Sequence, residues 1–322
     1  TDNGTSPITA QFNGISLINE PPQGIYTITF DDSLDTQYTV ARPAMNVYGF
    51  KGTDYVITNS IDTSGNLTKE QMRDLEDNHG WDMACHTESH ANLNTISTST
   101  VVTELLGCKN WLIGHGFTKG VDHIAYPQGG YDVAKVENEV KKYFRSARTI
   151  TEYPETFPAG NNYRLRTYNI TDADATTTIQ TRIDEAAQNH EWLIIIFHGI
   201  SDTVSSNAIS KMKFNMAMNQ IALNTIATTT GGSQYAPIAK VMTLSEVFNS
   251  YKPNPINYNA GKVGIGSSTP YGLFSIEQGS TTPVFVVSDY GTSSPHFIIN
   301  GSGQIGIGTS TPGSFLSVQG NA

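Results

Sequence analysis

Three short segments carry residues whose types and spacing can do hydrolytic chemistry. Thr29-Phe-Asp-Asp-Ser33 ends an apolar run and sets two adjacent carboxylates, Asp31 and Asp32, at the close of a strand. Neighbouring Asp side chains point different ways, so one can hold a metal while the other stays free as a base. The fragment alone equally describes the N-cap of a helix after a strand. His86-Thr-Glu-Ser-His90 repeats His at i and i+4, which on one face of a helical turn would chelate one divalent ion. Glu88 sits at the middle position, so this is not the zinc-protease arrangement. Two His and one Asp form a facial set that leaves positions open for water and substrate. A His pair at this spacing also occurs as plain structure. His198 ends the most hydrophobic stretch, Trp192 to Phe197, where it is either a polar cap or a proton donor. A weaker fourth segment, Ala125-Tyr-Pro-Gln-Gly-Gly130, either aims backbone N–H groups at an oxyanion or simply turns the chain.

Taken together, in this order and spacing, the segments resemble the polysaccharide deacetylases of the NodB-homology type, carbohydrate esterase family 4. The resemblance covers roughly residues 21–250. It implies a distorted (β/α) barrel and metal-dependent removal of acetyl from N-acetyl sugars, with acetate released. Carried over by position, Asp31 would be the general base and His198 the general acid. Asp32, His86 and His90 would hold one divalent metal ion, zinc first, although two His and one Asp also accept cobalt, nickel or manganese. The backbone N–H of Gln128 would join the metal in stabilising the oxyanion, with Tyr126 and Pro127 beside it at the substrate. Two positions depart from the commonest pattern. Ala125 stands where many members have Arg, and Gln128 stands where an aromatic usually follows Pro. The Ala-Tyr-Pro form is similar to the poly-β-1,6-N-acetylglucosamine deacetylase branch, in which a later Arg replaces the missing one. Arg166, in Leu165-Arg-Thr-Tyr-Asn-Ile170, is the expected support for Asp31, with Arg148 and Arg164 as rivals. Asp202 is the carboxylate considered for keeping His198 cationic.

The elements that must position these groups follow from hydropathy. The sequence predicts strands at 25–30, 55–58, 83–85, 123–126, 164–170 and 192–198, alternating with helices at 68–78, 98–113, 131–143, 174–189 and 207–228. Thr68-Lys-Glu-Gln71 is a capping box and Gly80 a stop. About seven strand–helix units suit an α/β fold, a closed or nearly closed parallel barrel over 21–252, preceded by a polar arm at 1–20. A linker at 253–260 leads to a small all-β repeat module at 261–322. There, Gly261-Lys-Val-Gly-Ile-Gly-Ser-Ser-Thr-Pro270 is echoed by Gly303-Gln-Ile-Gly-Ile-Gly-Thr-Ser-Thr-Pro312, and Leu273-Phe-Ser-Ile276 by Phe315-Leu-Ser-Val318. Such a repeat is a poor independent core and is expected to bury its face on neighbouring copies. It resembles Gly-Ile-Gly-Thr-x-x-Pro repeats of phage tail fibres and bacterial surface proteins, which implies an oligomer, often a trimer, at a cell surface or on a virion.

Composition bounds the partners. The chain has 322 residues, 38% hydrophobic and 15% charged, with a net charge of -10, which argues against nucleic acid. No run approaches the ~18 apolar residues of a membrane-spanning helix. The resemblance implies an N-acetylated glycan as partner; the N-terminus has no basic-then-apolar signal segment, so the expectation is either a cytosolic chain or, as favoured, an extracellular one whose leader has been removed. Cys85 and Cys108 are expected to be small buried hydrophobes, with a single disulfide between them as the alternative. A catalytically silent carbohydrate-binding component and an O-deacetylase remain the competing readings.

Overall fold

The computed structural model describes residues 23–203, 207–226, 228–230 and 233–250, and toward the C-terminus 256–259, 262–265, 274–276, 285–287, 296–300 and 302–319. The arm expected at 1–20 lies outside the described residues. The chain divides into two compact units, Asn19–Tyr251 and a second that carries Lys252–Ala322.

In the first unit, β1 (Gly24–Asp31), β2 (Gly52–Val56), β3 (Asp82–Cys85), β4 (His123–Ala125), β5 (Ser146–Glu152), β6 (Leu165–Asn169) and β7 (Trp192–Phe197) pair in sequence order, all parallel. Pairing of β1 with β7 from Ile25↔Trp192 to Phe30↔Phe197 closes them into a seven-stranded barrel. Between strands run α1 (Arg42–Asn46), which continues a π-helical turn at Gln37–Ala41, then α2 (Lys69–His79), α3 (Thr98–Gly114), α4 (Asn138–Tyr143) and α5 (Thr176–Gln188). After β7 come α6 (Lys211–Thr225), a hairpin of β8 (Thr228–Thr230) with β9 (Ser233–Tyr235), β10 (Ala239–Val241) and α7 (Leu244–Ser250). The barrel is distorted where β10 pairs with Gly24–Tyr26 and β2 only with Ile28–Asp31, so two strands share one side of β1. The predicted capping box forms: Thr68 accepts from the Gln71 N–H and Gln71 accepts from the Thr68 N–H, while Gly80, at φ 70°, stops α2.

Strand period decides what faces inward. Ile25, Tyr55, Ala84, Ala125, Leu165, Trp192 and Ile194 fill the barrel interior, closed by Leu244, Val247 and Phe248 of α7. Tyr26, Ile28, Phe30, Val56, Met83, Cys85, Leu193, Ile195 and Phe197 face the helix layer. Extending the inward set by two residues per step brings Asp31, His86 and His198 to the C-terminal rim, the end at which barrels of this kind present chemistry.

Several expectations change. The second strand begins at Gly52 rather than Tyr55. Ser146–Glu152, Ala239–Val241 and the helical stretch Gln37–Asn46 were not predicted. Cys85 and Cys108 are fully buried, as expected, but joined as a disulfide. The pairing follows from packing, because Cys85 faces the helix layer and Cys108 lies on the buried stripe of α3.

In the second unit, four residues of the expected linker form β11 (Ile256–Asn259), which pairs with β12 (Lys262–Ile265). Next come β13 (Phe274–Ile276), β14 (Phe285–Val287), β15 (Phe297–Ile299), β16 (Ile305–Ile307) and β17 (Leu316–Val318). The sequence echo is a structural one. β12 and β13 pair in parallel with Val263 opposite Phe274, and β16 and β17 pair in parallel with Ile305 opposite Leu316. Each position is displaced by the same 42 residues (305 − 263 and 316 − 274).

Candidate active site

The candidate rim is built on a strand end that cannot continue. Asp31 is the last residue of β1, and Asp32 and Ser33 follow at φ 73° and 54°, a left-handed pair that swings Asp32 away from the strand. The Gln37 side-chain amide donates to the Asp31 carbonyl at 2.7 Å and ties down this turn. Asp31 itself is buried, and its carboxylate receives Arg148 Nη2 at 2.7 and 2.6 Å. Arg148 is fully buried on β5, with its guanidinium 4.8 Å over the Tyr55 ring. Burial would raise the Asp31 pKa, but the charges of Arg148, His86 and His198 outweigh it and hold the carboxyl below its usual range.

The two His of the His-x-x-x-His segment do converge, though not on a helix. Residues 86–90 form a loop with Thr87 and His90 at φ 66° and 63°. Thr87 Oγ1 accepts from the His90 N–H at 3.0 Å, and the two imidazole rings lie 4.9 Å apart. Glu104 of α3 clamps the same loop, accepting from the Ser89 N–H at 2.9 Å and its hydroxyl at 2.6 Å. His86 Nδ1 sits 3.0 Å from the Ala125 carbonyl, which leaves Nε2 to face the rim. That Nε2 is 3.7 Å from Asp32 Oδ1, and His90 Nε2 is 3.5 Å from the same oxygen. One ligand atom from each of Asp32, His86 and His90 lies within 4.8 Å of the others. Asp32 Oδ1 is buried and has no hydrogen-bond partner among the described residues. A buried oxygen left unpaired between two imidazoles fits a divalent cation. Burial outweighs the Asp31 charge and pushes His86 down to about 4, so it is neutral and able to coordinate near pH 7.

His198 follows β7, and its Nε2 lies 3.9 Å from Asp31 Oδ2. Asp202 does not face it: that carboxylate is 70% exposed and pairs with Lys211 at 3.4 Å. Tyr126 and Pro127 are buried below the turn after β4, and Gln128 adopts φ 55°. Its side-chain oxygen accepts from Asn92 at 3.3 Å.

Arg166 is a correction. It binds Glu155, through Nε at 3.1 Å and its backbone N–H at 2.7 Å, because Leu165 and Thr167 take the inward positions of β6 and turn Arg166 outward. Arg164 binds Glu137 at 2.6 Å. The rival Arg148 holds Asp31. The helical reading of 86–90 fails for the reason given above. Gln37 and Glu104 were missed. Glu104 had a signal, since it occupies the same helical stripe as Val101, Leu105, Cys108 and Leu112.

Residues 18–145 match the polysaccharide deacetylase family model. This chain carries a polysaccharide deacetylase domain. The match includes Asp31, Asp32, His86 and His90, while Arg148 and His198 lie beyond it. The domain is 32% identical over 133 residues to the Bacillus subtilis strain 168 protein YxkH, which bears the name of a polysaccharide deacetylase, covering 41% of this chain and 47% of that one. It is 26% identical over 156 residues to the poly-β-1,6-N-acetyl-D-glucosamine N-deacetylase of Staphylococcus epidermidis, covering 45% and 54%. The chain thus spans about half the length of the curated relatives it matches. Among solved structures, the Streptococcus pyogenes deacetylase PplD in complex with acetate aligns at 28% identity and a TM-score of 0.40, over 44% of this chain and 63% of that one. Among the described residues, no helix is long and apolar enough to cross a membrane.

Proposed function

We propose that the domain hydrolyses N-acetyl groups on an N-acetylglucosamine-containing polysaccharide and releases acetate. The observation that carries this reading is Asp31, fixed by Arg148, beside the Asp32–His86–His90 cluster with His198 on its other side. Asp32, His86 and His90 would hold a divalent ion, zinc in our reading, which when bound would supply Lewis-acid polarisation of water and carbonyl. Asp31 takes a proton from the attacking water, since Arg148 keeps it ionised and oriented. The backbone N–H of Gln128 faces the oxyanion as the carbonyl becomes tetrahedral. His198 delivers a proton to the amide nitrogen, the C–N bond breaks, and acetate leaves a free amine on the sugar. The N-deacetylase name of the Staphylococcus epidermidis relative supports the amide as the scissile bond.

The test is paired acetate and free-amine release from N-acetylglucosamine polymers, beside O-acetylated xylan. Equal yields of acetate and amine are expected. Acetate from xylan alone would make the enzyme an O-deacetylase, and no acetate from either would leave a binding role.

The second unit we assign to self-association. Phe315 is 81% exposed and Val318 66% exposed, with Leu316 and Ile307 also exposed on the adjoining strands β16 and β17. Large apolar side chains grouped on one sheet normally find cover. Copies of the chain, three in our reading, would supply it. Light scattering should report an oligomer that Phe315→Ser with Val318→Ser reduces to a monomer; a monomeric parent would overturn the assignment. The buried Cys85–Cys108 disulfide supports an oxidising, extracellular setting.

A further inference from the structure

A cavity of about 470 Å³ lies outside the cluster just described, between the end of β5, α5 and the start of β7. Tyr168 and Leu193, both buried, contribute to its lining, and Tyr153, 63% exposed, lies at its edge. Its polar groups are unbalanced. Arg182 lies 4.2 Å over the Tyr168 ring and pairs with Glu152 at 3.2 Å, which accounts for one of the three carboxylates. Glu185 and Glu191 also line the cavity, and neither has a cation in an ion pair among the described residues. Burial, with the Glu185 charge adding to it, outweighs a hydrogen bond from Asn189 and the Arg166 charge and holds the Glu191 carboxyl above its usual range. A cation placed between them would relieve that cost.

The exposed Tyr153 ring, with the Arg166 guanidinium 5.3 Å from its centroid, planar hydrogen-bonding side chains, and two carboxylates without an ion pair among the described residues define a narrow ligand chemistry. Aromatic rings suit the apolar face of a pyranose, and Glu, Asn and Arg suit its hydroxyls. Uronic acids and phosphates would meet like charge. A bare divalent ion would leave the tyrosine and leucine surface unused. We propose that this cavity is a second glycan site that binds an amino sugar through its free ammonium group, on the outer wall of the barrel. The choice of amino sugar rests on the deacetylase reading, since it is that reaction's product. The site would hold a chain that already carries free amines while its acetylated units reach the rim.

The experiment uses the full chain with Asp31→Asn, so that no titrant is converted. Glucosamine oligomers and N-acetylglucosamine oligomers are titrated separately by calorimetry, with and without Glu191→Gln and Tyr153→Ala. Glucosamine oligomers should bind with an affinity that falls with salt. Glu191→Gln should weaken them by roughly tenfold or more, as loss of a charge-assisted hydrogen bond does. Tyr153→Ala should weaken them severalfold, and N-acetylglucosamine oligomers should not respond to Glu191→Gln. No binding of glucosamine oligomers, or binding that ignores both substitutions, would overturn the proposal. So would calcium alone competing at Glu185 and Glu191, which would make this a cation site. Acetate release by the unsubstituted chain tests the deacetylase reading separately, so failure of one is distinguishable from failure of the other.

Discussion

Replacing Arg148 with Met should move the acid limb of deacetylation, and the structure sets the scale. Arg148 is fully buried and gives both oxygens of a buried Asp31 a hydrogen bond at 2.6–2.7 Å. Removing one member of such a pair leaves an uncompensated buried charge, a cost of about 3–5 kcal/mol. At about 1.36 kcal/mol per pKa unit, the Asp31 pKa should rise by roughly 2–4 units. The direction follows from the forces in place. Burial acts to raise that pKa and is now outweighed chiefly by Arg148, so without Arg148 burial prevails. The base would then be protonated at pH values where the parent is ionised, and activity would survive only toward higher pH. The assay is acetate release against pH for the metal-loaded parent, Arg148→Met, Arg148→Lys and Arg166→Met. Arg148→Met should shift the acid limb upward, Arg148→Lys should shift it less, and Arg166→Met should leave it in place. An acid limb that moves with Arg166→Met and not with Arg148→Met would refute the reasoning.

Three further outcomes follow. Reducing the Cys85–Cys108 disulfide opens a loop with a separation of 23 residues, which should cost about 3 kcal/mol by loop entropy; melting with and without reductant measures it, and an unchanged midpoint counts against the bond. His123 is buried against Ser146 Oγ at 2.8 Å, and burial lowers its pKa from 6.5 to about 3. The unfolded chain therefore takes up a proton that the folded chain refuses, so stability falls as pH drops from 6.5 toward 3, by about 2 kcal/mol at pH 5. Urea midpoints against pH should show a shallower acid loss in His123→Gln, and parallel curves would contradict this. Asp54 is buried with neither carboxylate oxygen hydrogen-bonded among the described residues, and burial, then the Asp31 and Asp32 charges, push its pKa well up. Its ionisation destabilises the fold increasingly as pH rises above the unfolded value. Asp54→Asn should therefore be more stable than the parent at pH 8, with the gain shrinking toward pH 4; a lower midpoint at pH 8 would refute it.

The barrel was legible because parallel strands buried on both faces read as apolar runs, Ile25–Phe30 and Trp192–Phe197 most clearly. Where a strand carries polar interior residues the signal fails. Ser146–Glu152 reads as Ser-Ala-Arg-Thr-Ile-Thr-Glu, yet Ser146, Arg148 and Thr149 are all buried, each with a hydrogen-bond partner. Missing that strand hid the inward position of Arg148, and Arg166 was preferred because its strand was visible. The spacing of His86 and His90 marked two imidazoles that do lie together but suggested a helix. The actual convergence depends on left-handed backbone at Thr87 and His90, conformations that side-chain type seldom announces. The disulfide needed the facing of β3 and α3, which no spacing of two cysteines encodes.

The central claim is that Asp31 acts as base beside one metal ion held by Asp32, His86 and His90. Metal content and acetate release from N-acetylglucosamine polymers should be measured together on the parent, Asp31→Asn and His86→Ala. The account predicts one divalent ion and acetate release in the parent, a retained ion with release lost in Asp31→Asn, and loss of both in His86→Ala. Full release by metal-loaded Asp31→Asn, or by His86→Ala stripped of metal, would contradict it.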